Sequence, residues 1–126
     1  MRGVDTNVLV RLITREDSRQ TVAAESFIER SAWVSVLALA ETTWVLSSVY
    51  ELGPDELATA IEMLLNHRNL VLQEEEAVAR SLALFRARPA LGFSDCLMVE
   101  LARKAGHLPL GTFDRDLSKV EGAQKI

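Results

Sequence analysis

An α/β fold built on a short parallel sheet is what this sequence predicts, and three observations carry the prediction. Short β-rich runs alternate with longer stretches of helical periodicity from one end to the other. The chain has 126 residues, within the ~100–150 at which single domains cluster. Apolar residues make up 48% and charged residues 25%, enough to bury a core, which excludes disordered, collagen-like and disulfide-scaffold classes. No internal repeat, linker or low-complexity segment interrupts the pattern, so one domain over residues 1–126 is expected.

Gly3-Val4-Asp5 reads as a very short first strand, followed by a helical segment from Thr6 to Arg11. Asp17 and Ser18 can cap a second helix running to about Arg30, with Val22, Ala23, Phe27 and Ile28 expected on its inner face. Trp33 to Val36 is the second strand, and a long helix spans about Leu37 to Tyr50 before Gly53-Pro54. From Asp55, the positions of Leu57, Ala58, Ile61, Leu64 and Leu65 predict another helix. Leu70-Val71-Leu72 is the third strand, and Glu74 to Arg86 a helix with Val78, Leu82 and Phe85 inward. After a loop at Pro89–Gly92, Ser94 is expected to cap a helix carrying Leu97, Met98, Leu101, Ala102 and Ala105 as one stripe and closed by Gly106. Leu108 to Phe113 is the fourth strand, Asp114 to Lys119 a short turn of helix, and Ala123 to Ile126 a meagre fifth strand. Trp33 and Trp44 are expected in the core.

With 14 basic and 18 acidic residues the net charge is −4, which argues against gripping nucleic acid by bulk electrostatics alone. The single Cys96 allows no internal disulfide. Charged residues interrupt every apolar run before the ~18–20 residues needed to span a bilayer. Asp5, Asn7 and Arg11 likewise break any apolar leader, so a soluble protein of the cytoplasm is expected.

Four carboxylates occupy informative positions. Asp5 closes the first strand and Asp114 follows the fourth, and open parallel sheets bind ligands beyond the carboxyl ends of their strands. Asp95 opens a helix after a loop that can bring it to the same edge. Glu41 sits alone in an apolar stretch with no Lys or Arg between Arg30 and Arg68, and a buried carboxylate costs several kcal/mol unless paired or bound to a cation. Each acid also has a bland role: helix caps for Asp5 and Asp95, an Asx-turn for Asp114, solvation for Asp116, a snorkelling side chain for Glu41. If they converge, like charges require a cation, and an all-oxygen set suits Mg²⁺ or Mn²⁺. One Cys and two separated His, His67 and His107, disfavour zinc.

The stretch Val4 to Arg11 with its Asp5-Thr6-Asn7, Ser35 with Glu41 six residues on, Phe93-Ser94-Asp95, and Thr112-Phe113-Asp114-Arg115-Asp116-Leu117 together resemble the PIN-domain family. Within it, the likeness is to the VapC-type ribonuclease toxins of type II toxin–antitoxin pairs. The resemblance covers nearly the whole chain and implies a PIN-like three-layer α/β/α fold with a short parallel sheet of four or five strands flanked by helices. It implies a Mg²⁺- or Mn²⁺-dependent endoribonuclease, a homodimer, neutralised by a cognate antitoxin protein. By position, Asp5, Glu41, Asp95 and Asp114 match the family's acidic quartet, and Asp116 matches a further acid some members place near the metal. The weak apolar character of Gly122 to Ile126 departs from relatives with a clear fifth strand.

On this reading a metal-activated water attacks the scissile phosphorus and leaves a 5′-phosphate and a 3′-hydroxyl. Asp5, Asp95 and Asp114 are expected to ligate metal, with Asp116 a secondary candidate, and Glu41 to bind metal or orient water. Thr6, Asn7, Ser94 and Thr112 are placed to hold the carboxylates by hydrogen bonds. Arg11, Arg15 and Arg115, with Arg86, Arg88, Arg103 and Lys104, are candidates for RNA phosphates. Cys96 is expected to pack inertly. A phosphoacceptor receiver domain would want an acidic pair after the first strand and a late Lys, and has neither here. A non-catalytic nucleic-acid or protein-binding module on the same scaffold stays open as the alternative.

Overall fold

Five strands and six α-helices alternate along the chain in the computed structural model, which describes residues 1–126. They fall into two compact units, Met1–Glu75 and Glu76–Ile126. The α/β class and the parallel pairing follow the sequence expectation, and the strands hydrogen-bond as a sheet of three and a sheet of two.

In the first unit the elements are β1 (Arg2–Gly3), α1 (Thr6–Thr14), α2 (Ser18–Ile28), β2 (Ala32–Val34), α3 (Val36–Ser48), α4 (Pro54–Asn66) and β3 (Leu70–Leu72). β2 is central, pairing parallel with β1 (Arg2 with Ala32, Gly3 with Trp33) and with β3 (Ala32 with Leu70, Val34 with Leu72). Parallel neighbours need helical crossovers, which α1–α2 and α3–α4 supply. Ala32, Val34, Leu70 and Leu72 line the buried face, whereas Trp33 and Val71 keep about two-fifths of their surface exposed. α1 packs against α2 and α3, and α4 against α3 and β3. Leu9, Ile28, Leu39, Leu46, Ile61 and Leu64 are essentially buried, each worth roughly 2 kcal/mol of transfer free energy.

Local chemistry sets the helix starts. Asp17 caps α2 by accepting the Gln20 N–H at 3.0 Å. Ser35 Oγ accepts the Ala38 N–H at 3.0 Å, and the Val36 N–H donates to Gln73 Oε1 at 2.9 Å, so two N–H groups of the first turn of α3 find side-chain partners. α4 starts at Gly53-Pro54, where Glu56 Oε1 accepts the Gly53 N–H at 3.1 Å.

Several expectations are corrected. The first strand is Arg2–Gly3, and Asp5 lies beyond it. The buried face of α2 is Thr21, Ala24 and Ile28: Ile28 is inward as expected and Phe27 half-buried, whereas Val22 and Ala23 are exposed. Trp44 is 66% exposed and Trp33 41%, so neither is a core residue. Leu37, Glu41 and Trp44 share the exposed side of α3, so Glu41 is not buried in the apolar stretch. Solvent compensates its charge, and no partner is required.

The second unit comprises α5, which spans Glu75–Ala87 from the last residue of the first unit, then α6 (Phe93–Ala105), β4 (Leu110–Thr112) and β5 (Ala123–Lys125). Short 3₁₀ turns occupy Pro89–Leu91 and Leu117–Lys119. Val78, Leu82 and Phe85 face inward as expected, and the Phe85 and Phe93 rings meet edge to face at 6.1 Å. Gly92, not Ser94, is the N-cap of α6, and Ser94 lies inside its first turn. The buried side of α6 is Phe93, Cys96, Leu97, Val99 and Glu100, with Met98 half exposed, which displaces the expected stripe. Gly106 closes the helix in the left-handed conformation. The fifth strand forms despite its weak sequence: β5 pairs parallel with β4 through Leu110–Ala123 and Thr112–Lys125. Arg103 holds this end together, bonding the buried Glu100 at 3.3 Å and the Glu121 carbonyl at 2.6 Å.

Candidate functional site

In the second unit, Asp95 and Asp114 are neighbours in charge. Asp95 enters on the first turn of α6, behind Gly92, whose φ of 82° and ψ of 148° lie where only glycine is comfortable. That corner turns the chain from the 3₁₀ turn into the helix and fixes where the carboxylate emerges. Asp95 is half buried. Burial first, and then the negative charge of Asp114, hold its carboxyl above the usual carboxylate range.

Asp114 lies two residues beyond the end of β4, which closes at Thr112 rather than at the expected Phe113, and it organises its own turn. Thr112 Oγ1 accepts the Asp114 N–H at 3.0 Å. Asp114 Oδ1 accepts the N–H groups of Asp116 and Leu117, both at 2.8 Å, and its carbonyl accepts the Ser118 N–H at 3.0 Å. The Asx-turn role is therefore realised, and it engages one carboxylate oxygen, leaving the other for a ligand. Asp116 is exposed, as is Arg115 beside it.

Cys96, next to Asp95, points the other way into the core, fully buried. Burial above all, with the Asp95 charge, pushes its thiol up to about 11, consistent with an unreactive packing role.

In the first unit, Asp5 is the N-cap of α1: its Oδ1 accepts the Val8 N–H at 3.2 Å. The cap likewise uses one oxygen of two. Asp5 lies on a cleft of about 300 Å³ with Gly3, Val4, Val8 and Phe27. Thr6 and Asn7 are the first two residues of α1, Thr6 half buried and Asn7 exposed. Glu41 projects from the exposed side of α3.

The basic candidates divide. Arg11 donates to Gln20 Oε1 and, at 3.1 Å, to the Tyr50 hydroxyl, tying α1 to α2 and to the segment after α3. Arg15 ion-pairs with Glu25 at 3.4 Å across an exposed surface, an interaction worth little. Arg103 is spent on the clamp described above. Arg115 adjoins Asp114 in sequence and stands exposed.

Neither unit by itself gathers three His, Cys, Asp or Glu side chains in a group able to hold a metal ion. The donor chemistry nevertheless fits a hard divalent cation: two carboxylates of the second unit repel each other, the thiol is buried, and His67 Nδ1 already accepts the Asn69 N–H at 3.1 Å. Sequence reasoning passed over Phe113, which stands 79% exposed between Thr112 and Asp114. Strand alternation was the signal, since it sets Phe113 with Gly111 rather than with Leu110 and Thr112.

Compared with known families, residues 4–123 match the PIN domain, and the chain belongs to that family. No curated protein and no solved structure matches it. The mixed α/β organisation agrees with the family's α/β/α fold. PIN domains are generally nucleases and typically use divalent metals, so nuclease chemistry is the activity that membership carries. No helix is long and apolar enough to cross a membrane.

Proposed function

We propose that this PIN domain is a Mg²⁺- or Mn²⁺-dependent endoribonuclease of the cytoplasm, the toxin of a type II toxin–antitoxin pair. One observation carries most of the weight within the family match. Asp95 and Asp114, which the motif resemblance pairs with two acids of the family, share one unit, and after burial the Asp114 charge hinders ionisation of Asp95. Such a pair favours added positive charge. The remaining acids, Asp5 and Glu41, are assigned by their sequence positions in the same motif set, with Asp116 as a supplementary ligand. Residues 4–123 match as one family domain, which supports reading 1–126 as a single functional domain.

A divalent cation held by Asp95 and Asp114 would supply Lewis acidity and offset negative charge on a substrate phosphate. The chain's own groups do the positioning. Thr112 fixes the backbone of Asp114, and the Asp116 and Leu117 N–H groups hold one of its oxygens, so the other has a defined direction. The Val8 N–H does the same for Asp5. Arg115, exposed beside Asp114, is placed to meet a substrate phosphate.

The toxin assignment brings a homodimer and an antitoxin as partners. Leu37 and Trp44 on α3 and Val49 just past it, 73, 66 and 64% exposed, offer apolar surface for such contacts. The test is cleavage of total RNA in Mg²⁺ or Mn²⁺ and in EDTA, with end-group analysis. Metal-dependent fragments bearing 5′-phosphates support the reading. Cleavage that persists in EDTA, or 2′,3′-cyclic phosphate ends, contradicts it.

A further inference from the structure

We infer that Phe113 is a stacking platform for one unpaired base of the RNA, beside the phosphate that Asp114 and Arg115 serve; this rests on the ribonuclease reading above. Phe113 is 79% exposed. The other aromatics of its unit, Phe85 and Phe93, are buried against each other, so Phe113 is the one that unit offers to solvent.

Its setting is stiff. The residue before it, Thr112, is paired in β4 and accepts the Asp114 N–H. The residue after it, Asp114, is held through its side chain and carbonyl by three backbone N–H groups. A ring carried on such a fixed backbone loses little conformational entropy when a partner covers it.

The surroundings favour a base over a protein surface. Phe113 is followed by Asp114, Arg115 and Asp116, all exposed and charged. On that strand face Ile126 lies over Gly111, two residues before Phe113. Two side chains fall far short of the ~800 Å² per partner that a stable protein contact buries. A single flat apolar ring flanked by charge suits a nucleobase, whose π-face stacks on aromatics regardless of sequence. A base can reach the ring only when unstacked and unpaired, so the platform selects single-stranded RNA at that nucleotide.

The test compares wild type with Phe113→Ala, Phe113→Leu and Phe113→Trp. Affinity is read by anisotropy of a fluorescein-labelled, mixed-sequence single-stranded RNA in the Asp95→Asn background, and against the same RNA annealed to its complement. Cleavage of total RNA is followed at limiting and saturating concentration. We expect Phe113→Ala to weaken single-strand binding roughly 5- to 150-fold, chiefly in KM, with duplex binding little changed. Phe113→Trp retains affinity and Phe113→Leu does not. Unaltered binding by Phe113→Ala, or full rescue by leucine, overturns the inference and in the latter case indicates an apolar protein contact. If wild type cleaves no RNA, the ribonuclease reading fails, and the anisotropy series still decides whether Phe113 stacks on a base.

Discussion

Replacing Asp5 with alanine and, separately, with asparagine pulls apart its two assigned roles. The carboxylate caps α1 through the Val8 N–H at 3.2 Å, and the proposal gives it a cation to bind as well. Alanine removes the cap, which costs about 1 kcal/mol, and the charge at the helix N-terminus, worth a further ~0.5 kcal/mol. Asparagine caps as well as aspartate and loses only the charge. Metal-free alanine protein should therefore be less stable than wild type by about 1.5 kcal/mol, and asparagine protein by about 0.5 kcal/mol. In thermal melts these correspond to losses of roughly 6 °C and 2 °C for a domain of this size. RNA cleavage behaves differently: both variants should fall by about 100-fold or more, because both lack the ligating charge. Denaturant titration and a gel-based cleavage assay on the same preparations read the two effects. Wild-type cleavage by Asp5→Asn would refute the catalytic role, and equal stability of the two variants would refute the cap.

Other consequences are sharper in one measurement each. Asp95 ionises with more difficulty in the folded chain, so its contribution to metal-free stability is full below the ordinary carboxylate range of the unfolded chain and is lost as pH rises through its raised folded value. Melts across pH should show wild type falling relative to Asp95→Asn over that window, with Asp95→Asn the more stable at neutral pH. Parallel curves contradict this. Gly92→Ala meets no atom within 4 Å, yet forces alanine into a φ of 82°, so it should destabilise by ~1–3 kcal/mol through the backbone alone and disturb cleavage by shifting Asp95. A neutral melt would remove the conformational argument. Cys96, buried and titrating at about 11, should react with iodoacetamide at pH 8 only after denaturation. Rapid labelling of folded protein would contradict its packing role.

Several specific chemical signals located the structure closely, although the cap expected at Ser94 falls to Gly92. Asp17 caps α2, Gly106 ends α6, Asp95 opens that helix, and Asp114 follows β4. Where the only signal was apolar character, phase was lost. Ala32, Trp33, Val34 and Val36 are all apolar, so the alternation that turns Trp33 outward is invisible in hydropathy. α3 is apolar on its exposed side too, through Leu37 and Trp44, so Glu41 looked buried when its charge in fact marks the solvent side. In α2 the inner position falls to Thr21, whose hydroxyl bonds the Asp17 carbonyl at 2.7 Å while its methyl packs as an apolar group. The first strand is a residue or two earlier than expected because Asp5 needs an extended, non-strand backbone to cap α1. At the site, residue types and element positions could be read directly. The bonds that orient Asp114 and the exposure of Phe113 depend on backbone geometry that spacing does not encode.

The most direct test of the central claim is cleavage of total cellular RNA by wild type and by Asp95→Asn, side by side in Mn²⁺ or Mg²⁺, with circular dichroism to establish that both are folded. The account predicts discrete fragments from wild type and none from Asp95→Asn. Equal cleavage by the two proteins, or none from folded, inhibitor-free wild type at any metal concentration, would contradict it.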